Sequence, residues 1–209
     1  MDDSTTKGGT IVRLYSSTDV GRNSPHQIRG TLLTFADRQY LAGVGQYKTE
    51  IPIGSRFIVL ETRAGWRRWE GGKIVEFVSE INGRYPQRAQ LGHTDERAWA
   101  LGPGGRPSDC WQDAREALLL REVDLAEYTF ATASGGGRAA IDVLRRSMQN
   151  ANLLRPGEFP IVALGWKSMP TAFGVKSKPD FAVVSWWRLE APSTEVPTIA
   201  PPVDDDPAA

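Results

Sequence analysis

The chain has 209 residues, 40% hydrophobic and 24% charged, with 25 Lys and Arg against 25 Asp and Glu. That length fits one domain with a tail, and the composition is that of an ordinary globular protein with a proper core. No apolar run approaches the ~20 residues that span a bilayer, the polar, acidic start MDDSTTKGGT is not a signal peptide, and one cysteine, Cys110, excludes an internal disulfide.

These features predict a cytoplasmic protein. Its charge is unevenly spread. Glu190, Glu195, Asp204, Asp205 and Asp206 fall in a stretch with no Lys or Arg, so residues 1–189 hold 25 basic side chains against 20 acidic ones. A mildly basic body with an acidic, proline-rich end suits a polyanion ligand, or a solubilising tail.

In chain order, residues 1–28 read as a flexible segment holding one strand-like stretch, IVRLY. TLLTFADRQYLAG (Thr31–Gly43) reads as strand, turn, strand, with the turn near Ala36-Asp37. Arg56–Arg63 alternates as a strand, and WRRWEGGKIVEFVSEI predicts a hairpin turning at Gly71-Gly72. Asn82–Asp113 is a long Gly- and Pro-rich loop, a length that is usually functional or mobile. EALLLREV and EYTFATAS follow as strands, the first with a short helix as alternative. SGGGRAAIDVLRRSMQNA predicts a helix, with Ala140, Ile141, Leu144 and Met148 on its buried face. FPIVALGWKSM and DFAVVSWWRL close the fold as strands, and residues 190–209 read as a disordered tail.

Several strands, one helix, then two strands is the order of a five-stranded Greek-key barrel of the OB type, whose helix lies between the third and fourth strands. The expected fold is therefore mainly β with one helix: an OB-like barrel over residues 29–189 with a long insertion at 82–113. Other α+β arrangements share the order.

The stretch RAGWRRWEGGK (Arg63–Lys73) places Trp66 and Trp69 among Arg63, Arg67, Arg68 and Lys73. Rings that stack on bases, beside cations that follow the backbone, hold single-stranded nucleic acid without sequence preference. Alternation sends the two indoles to opposite faces of a strand, so at most one joins the core. The competing reading buries Trp66 and shields Trp69 under a loop. Lys167, Phe173, Lys176 and Lys178 sit on the connection between the last two strands, one of the loops that close over oligonucleotides in OB folds.

The glycines ahead of the helix expose backbone N–H groups, and Arg138 beside them is a candidate phosphate contact. The nucleotide-binding G-x-x-x-x-G-K-[ST] pattern is absent, so a tight strand-to-helix connection is the alternative role.

Catalysis has little to build on. His26 and His93 with Cys110 do not make a zinc site. Asp95, Glu96, Asp109 and Asp113 would have to converge to bind Mg²⁺ for a hydrolase or nuclease. No enzyme, metal or cofactor is expected.

Three stretches, LGHTDERAW with GGRPSDCW, YTFATASGGGRAAI and KSMPTAFGVKSKPDFAVVSW, resemble an uncharacterised family encoded by phages, prophages and mobile elements of proteobacteria. Its members more often carry Asp at the position of His93 and Pro at that of Cys110. The resemblance implies DNA metabolism of a mobile element as the setting. The tail is similar to those of single-strand-binding proteins, whose acidic tips recruit replication partners and compete with DNA. Here Asp204, Asp205 and Asp206 form the tip, which lacks the terminal aromatic residue of the bacterial pattern.

The leading expectation is thus a single-stranded-DNA-binding protein of phage or mobile-element replication or recombination, non-catalytic, with replication or recombination proteins as partners of its tail. An accessory protein that binds partners through Trp99 and Trp111 of the long loop is the rival, and a metal-dependent hydrolase the third reading.

Overall fold

A computed structural model describes residues 28–71, 73–80, 84–102, 105–172 and 174–188. The IVRLY stretch, Phe173 and the acidic tail with Asp204, Asp205 and Asp206 lie outside the described residues.

The strands are β1 (Thr31–Ala36), β2 (Gln39–Ala42), β3 (Thr49–Ile51), β4 (Arg56–Glu70), β5 (Lys73–Ser79), β6 (Trp111–Arg121), β7 (Glu127–Thr132), β8 (Glu158–Thr171) and β9 (Gly174–Arg188). One long helix, α1 (Gly135–Leu154), separates β7 from β8. They form a single nine-stranded sheet, ordered β3-β2-β1-β7-β6-β4-β8-β9 with β5 added on β4. The fold is mainly β with one helix, as expected, and the sheet curls into a half-barrel. The described strands number nine rather than five. The two closing strands of the sequence are longer than they read, and β4 starts at Arg56, as expected, but runs on to Glu70.

Turn chemistry explains the first hairpin. Asp37 and Arg38 both adopt positive φ (49° and 69°). Both central residues of a two-residue type I′ turn require this, and its twist matches the strands it joins. β1 then runs parallel to β7, while β6 is antiparallel to both β7 and β4.

β4 carries one extra residue at Leu60, where its register with β6 shifts. A bulge of this kind bends a strand and raises its twist. It also sets which side chains face α1. Val59, Ala117 and Leu119 point to the helix side, whereas Ile58, Leu60, Leu118 and Leu120 belong to a second cluster on the outer side. Between Ile58 and Gly65, β4 exchanges one neighbour for another, from β8 to β5.

α1 begins at Ser134, whose hydroxyl accepts from the Gly137 N–H at 3.1 Å. Its buried residues Ala140, Ile141 and Leu144 recur at helical spacing and join Tyr40, Phe130 and Phe181 in the main core. The glycine run is a matter of close approach. A Cβ on Gly137 would lie 2.2 Å from Thr132 Oγ1, and one on Gly136 would lie 2.8 Å from Lys178 Cβ.

Tyr40 ties the curl together. Its ring is fully buried against Phe35, Phe130 and Phe181. Its hydroxyl donates to the carbonyls of Gly165 on β8 (2.8 Å) and Asp180 on β9 (3.2 Å). The shortest strands of the sheet thereby meet its longest hairpin.

Candidate nucleic-acid interface

The Arg63–Lys73 stretch forms the end of β4 and its hairpin to β5, which Lys73 opens. The two indoles do point to opposite faces, and each is half-buried. Trp66, on the helix side, donates its ring N–H to the Pro86 carbonyl at 2.8 Å and packs on Tyr85, 6.0 Å between centroids. Trp69 donates to Gln112 Oε1 at 2.9 Å, with the Arg67 guanidinium 5.9 Å from its ring.

The cations are engaged as well. Arg63 grips Glu61 through two hydrogen bonds of 2.7 and 2.8 Å. Arg68 bridges Glu76 (3.0 Å) and Glu70 (2.8 Å). Arg67 is only 6% exposed, and burial lowers its pKa from the usual arginine value. Rings and charges in this stretch turn toward one another, leaving little to offer a base or phosphate.

Arg138 joins a second network on the helix side. Asp113 accepts from Tyr85, Arg115 and Arg138, and Arg115 also reaches Asp142 of α1 at 2.7 Å. Burial by itself would raise the Asp113 pKa, but hydrogen bonds from Tyr85 and Arg115 and the two arginine charges hold it below the ordinary aspartate value. Burial, followed by the bond to Asp113, pushes the Tyr85 phenol up to about 12. Glu80 and Arg145 pair alongside at 2.7 Å. The network docks the helix on β6.

The long segment before β6 is organised rather than open. Two 3-10 turns, Arg88–Leu91 and Glu96–Ala98, interrupt it. Arg88 bonds Asp109 (2.7 Å) and the carbonyls of Gly92 (2.7 Å) and His93 (2.9 Å). Trp99 donates to the same His93 carbonyl at 2.8 Å, and Trp111 is 4% exposed. The rings expected as partner anchors are thus half-buried and buried. Of the four loop acids, Asp95 caps a turn while Asp109 and Asp113 sit in arginine ion pairs. Among the described residues, no three His, Cys, Asp or Glu side chains gather as a metal site.

The lysines fall differently from expectation. Lys167, Lys176 and Lys178 lie within β8 and β9, not on a loop between them, because the strands pair as far as Thr171 and Gly174. From Gly165 onward β8 pairs with β9 alone, so residues 165–180 form a two-stranded arm. Lys167 faces Lys178 across the arm, and Met169 faces Lys176. Alternation therefore gathers all three lysines on one face. Lys167 pairs with Asp180 at 3.0 Å yet stays 64% exposed, while the base of Lys178 rests on Gly136 at the start of α1.

The reverse face carries two residues that sequence reasoning missed. Trp166 is 37% exposed, and the Arg38 guanidinium lies 4.6 Å from its ring centroid, within cation–π range. Alternation in GWKSMP places Trp166 opposite Lys167. Nothing local marks Arg38, which arrives from the first hairpin, 128 residues earlier.

Compared with known proteins, the chain matches no family model, no curated protein and no solved structure. Among the described residues no helix is long and apolar enough to cross a membrane.

Proposed function

We propose that the chain binds single-stranded DNA, without catalysing a reaction, through the β8–β9 arm. One observation carries the reading: three lysines share a face of an arm whose other face holds a partly exposed tryptophan under an arginine. Cations set along a strand follow a phosphate backbone, and an accessible ring accepts any base. The stacking partners are Trp166 and Arg38, in place of Trp66 and Trp69.

We read the half-barrel as an OB-like barrel with added strands. In that architecture the hairpin after the helix takes the position of a loop that closes on oligonucleotides. Replication or recombination of a phage or mobile element is the proposed setting. Asp204, Asp205 and Asp206 would compete with DNA for the arm and receive protein partners.

The test is fluorescence anisotropy of labelled oligo-dT across a salt series, with the full chain, a Lys167→Ala/Lys176→Ala/Lys178→Ala variant and Trp166→Ala. Each lost phosphate contact reduces the slope of log K against log salt by roughly 0.7 for a single strand. Loss of a stacked base costs ~1–3 kcal/mol. Trp69→Phe leaves affinity unchanged. Equal binding by the triple variant and the native chain, or no binding by the native chain at low salt, refutes the proposal.

A further inference from the structure

The face of β4, β6 and β7 turned away from α1 presents a problem of coverage. Leu60 and Leu118 are 6% and 8% exposed there, beside Glu116 at 3%, Thr129 at 5% and Arg67 at 6%. α1 lies on the opposite face, where its Ile141 and Leu144 join the main core. Phe159, Trp187 and Leu125 pack on the apolar end of this outer face. Toward the charged end, the buried Arg67 Nε has no hydrogen-bond partner among the described residues. An unpaired buried donor costs about 1–3 kcal/mol, so such a group normally has a partner.

The described chain enters the fold on this same face. The Arg29 carbonyl accepts from Thr129 Oγ1 at 2.7 Å. Arg29 also lines a small cavity with Glu61, Arg63, Glu116 and Leu118. Residues 1–27 therefore lead directly onto it. They contain the apolar run Ile11-Val12-Arg13-Leu14-Tyr15, whereas residues 189–209 contain no comparable run. Fully extended, a dozen residues from Ser16 to Gln27 reach about 40 Å, enough to carry that run along β6. At about 3.3 Å per residue, Thr10–Tyr15 spans roughly 20 Å.

We infer that the outer face of β4, β6 and β7 is the docking surface for the chain's own residues 10–15. The apolar side chains of the run lie on Leu60 and Leu118, and a backbone carbonyl of the segment accepts from the Arg67 Nε–H. This surface is separate from the lysine arm and stands or falls independently of DNA binding.

The experiment uses the full chain with a photo-crosslinker, Val12→p-benzoylphenylalanine, and Tyr15→p-benzoylphenylalanine as a second probe. Crosslinked peptides are mapped by mass spectrometry over a tenfold range of protein concentration. The expected result is intramolecular crosslinks to residues 58–67 or 114–131, in a yield independent of concentration. Crosslinks to α1 or to the β8–β9 arm overturn the inference. So do crosslinks between chains that grow with concentration, which identify a second copy as the occupant, and photolysis with no protein crosslink.

Discussion

Tyr40→Phe tests whether the arm is held at its root by one hydroxyl. The substitution keeps the ring and its contacts with Phe35, Phe130 and Phe181. It removes the donor shared by the Gly165 and Asp180 carbonyls. A typical hydrogen bond contributes a net ~1 kcal/mol, and a buried acceptor left without its partner adds to the loss, so the cost is about 1–2 kcal/mol. For a domain of this size each kcal/mol moves Tm by roughly 2–4 °C. Urea denaturation followed by tryptophan fluorescence should show a lower midpoint at an unchanged slope.

The same hydroxyl makes a pH prediction. Burial, chiefly, raises the Tyr40 phenol above its ordinary pKa of 10.0 in the folded state. Its stabilising contribution is complete below the unfolded value near 10 and is lost as pH rises toward the folded one. The native chain should therefore weaken above pH ~10 more steeply than Tyr40→Phe, and the gap between them should narrow. Hydrogen exchange supplies the local readout, with faster exchange expected at Gly165, Trp166 and Asp180 in the variant. Equal stability of the two proteins at pH 7, or unchanged exchange in the arm, refutes the reasoning.

Gly137→Ala should cost ~2 kcal/mol or more, because its Cβ meets Thr132 Oγ1 at 2.2 Å, whereas Gly135→Ala, with open space around it, should stabilise by up to about 1 kcal/mol; urea midpoints compare them. Asp113→Asn should destabilise by about 3 kcal/mol at pH 7 by leaving Arg115 and Arg138 without their shared carboxylate. The native Asp113 carboxyl titrates below its unfolded value of 3.8. Its contribution is thus present above that value and lost as pH falls below it, so the variant should show a shallower acid limb in an unfolding series. Arg88→Ala should release the segment before β6, read as faster tryptic cleavage at Arg97 and Arg106 with little change in Tm.

Local patterns carried the elements well. The helix from Ser134, the hairpin at Gly71-Gly72 and the strand at Arg56–Arg63 all stand where capping, turn residues and alternation put them. Long-range pairing did not show. Nothing within FPIVALGWKSM reveals that its strand pairs with Gly174–Arg188 over fourteen positions, with one register shift, which turns a supposed loop into an arm. Strand pairing is decided by side chains far apart in sequence, and a bulge such as Leu60 changes faces without any glycine to announce it.

The Arg63–Lys73 stretch shows how enclosure in a sheet engages residues whose composition suits a ligand. The end of β4 lies between β5 and β6, with the Tyr85 segment over one face. A strand so enclosed must satisfy the indole N–H groups and guanidinium groups it carries, and Pro86, Gln112, Glu61, Glu70 and Glu76 do this for Trp66, Trp69, Arg63 and Arg68, whereas the Arg67 Nε has no hydrogen-bond partner among the described residues. Charge and aromaticity are then spent within the fold. Among the described residues, the β8–β9 arm pairs with no other strand beyond Leu164, and although the base of Lys178 rests on Gly136, Lys167 and Trp166 stay 64% and 37% exposed beside Asp180 and Arg38. An exposed charge retains its long-range field, and an exposed ring its stacking surface, whereas paired and buried ones lose both. An arm with exposed charge and an exposed ring therefore has more to offer a ligand than the stretch richest in Trp and Arg.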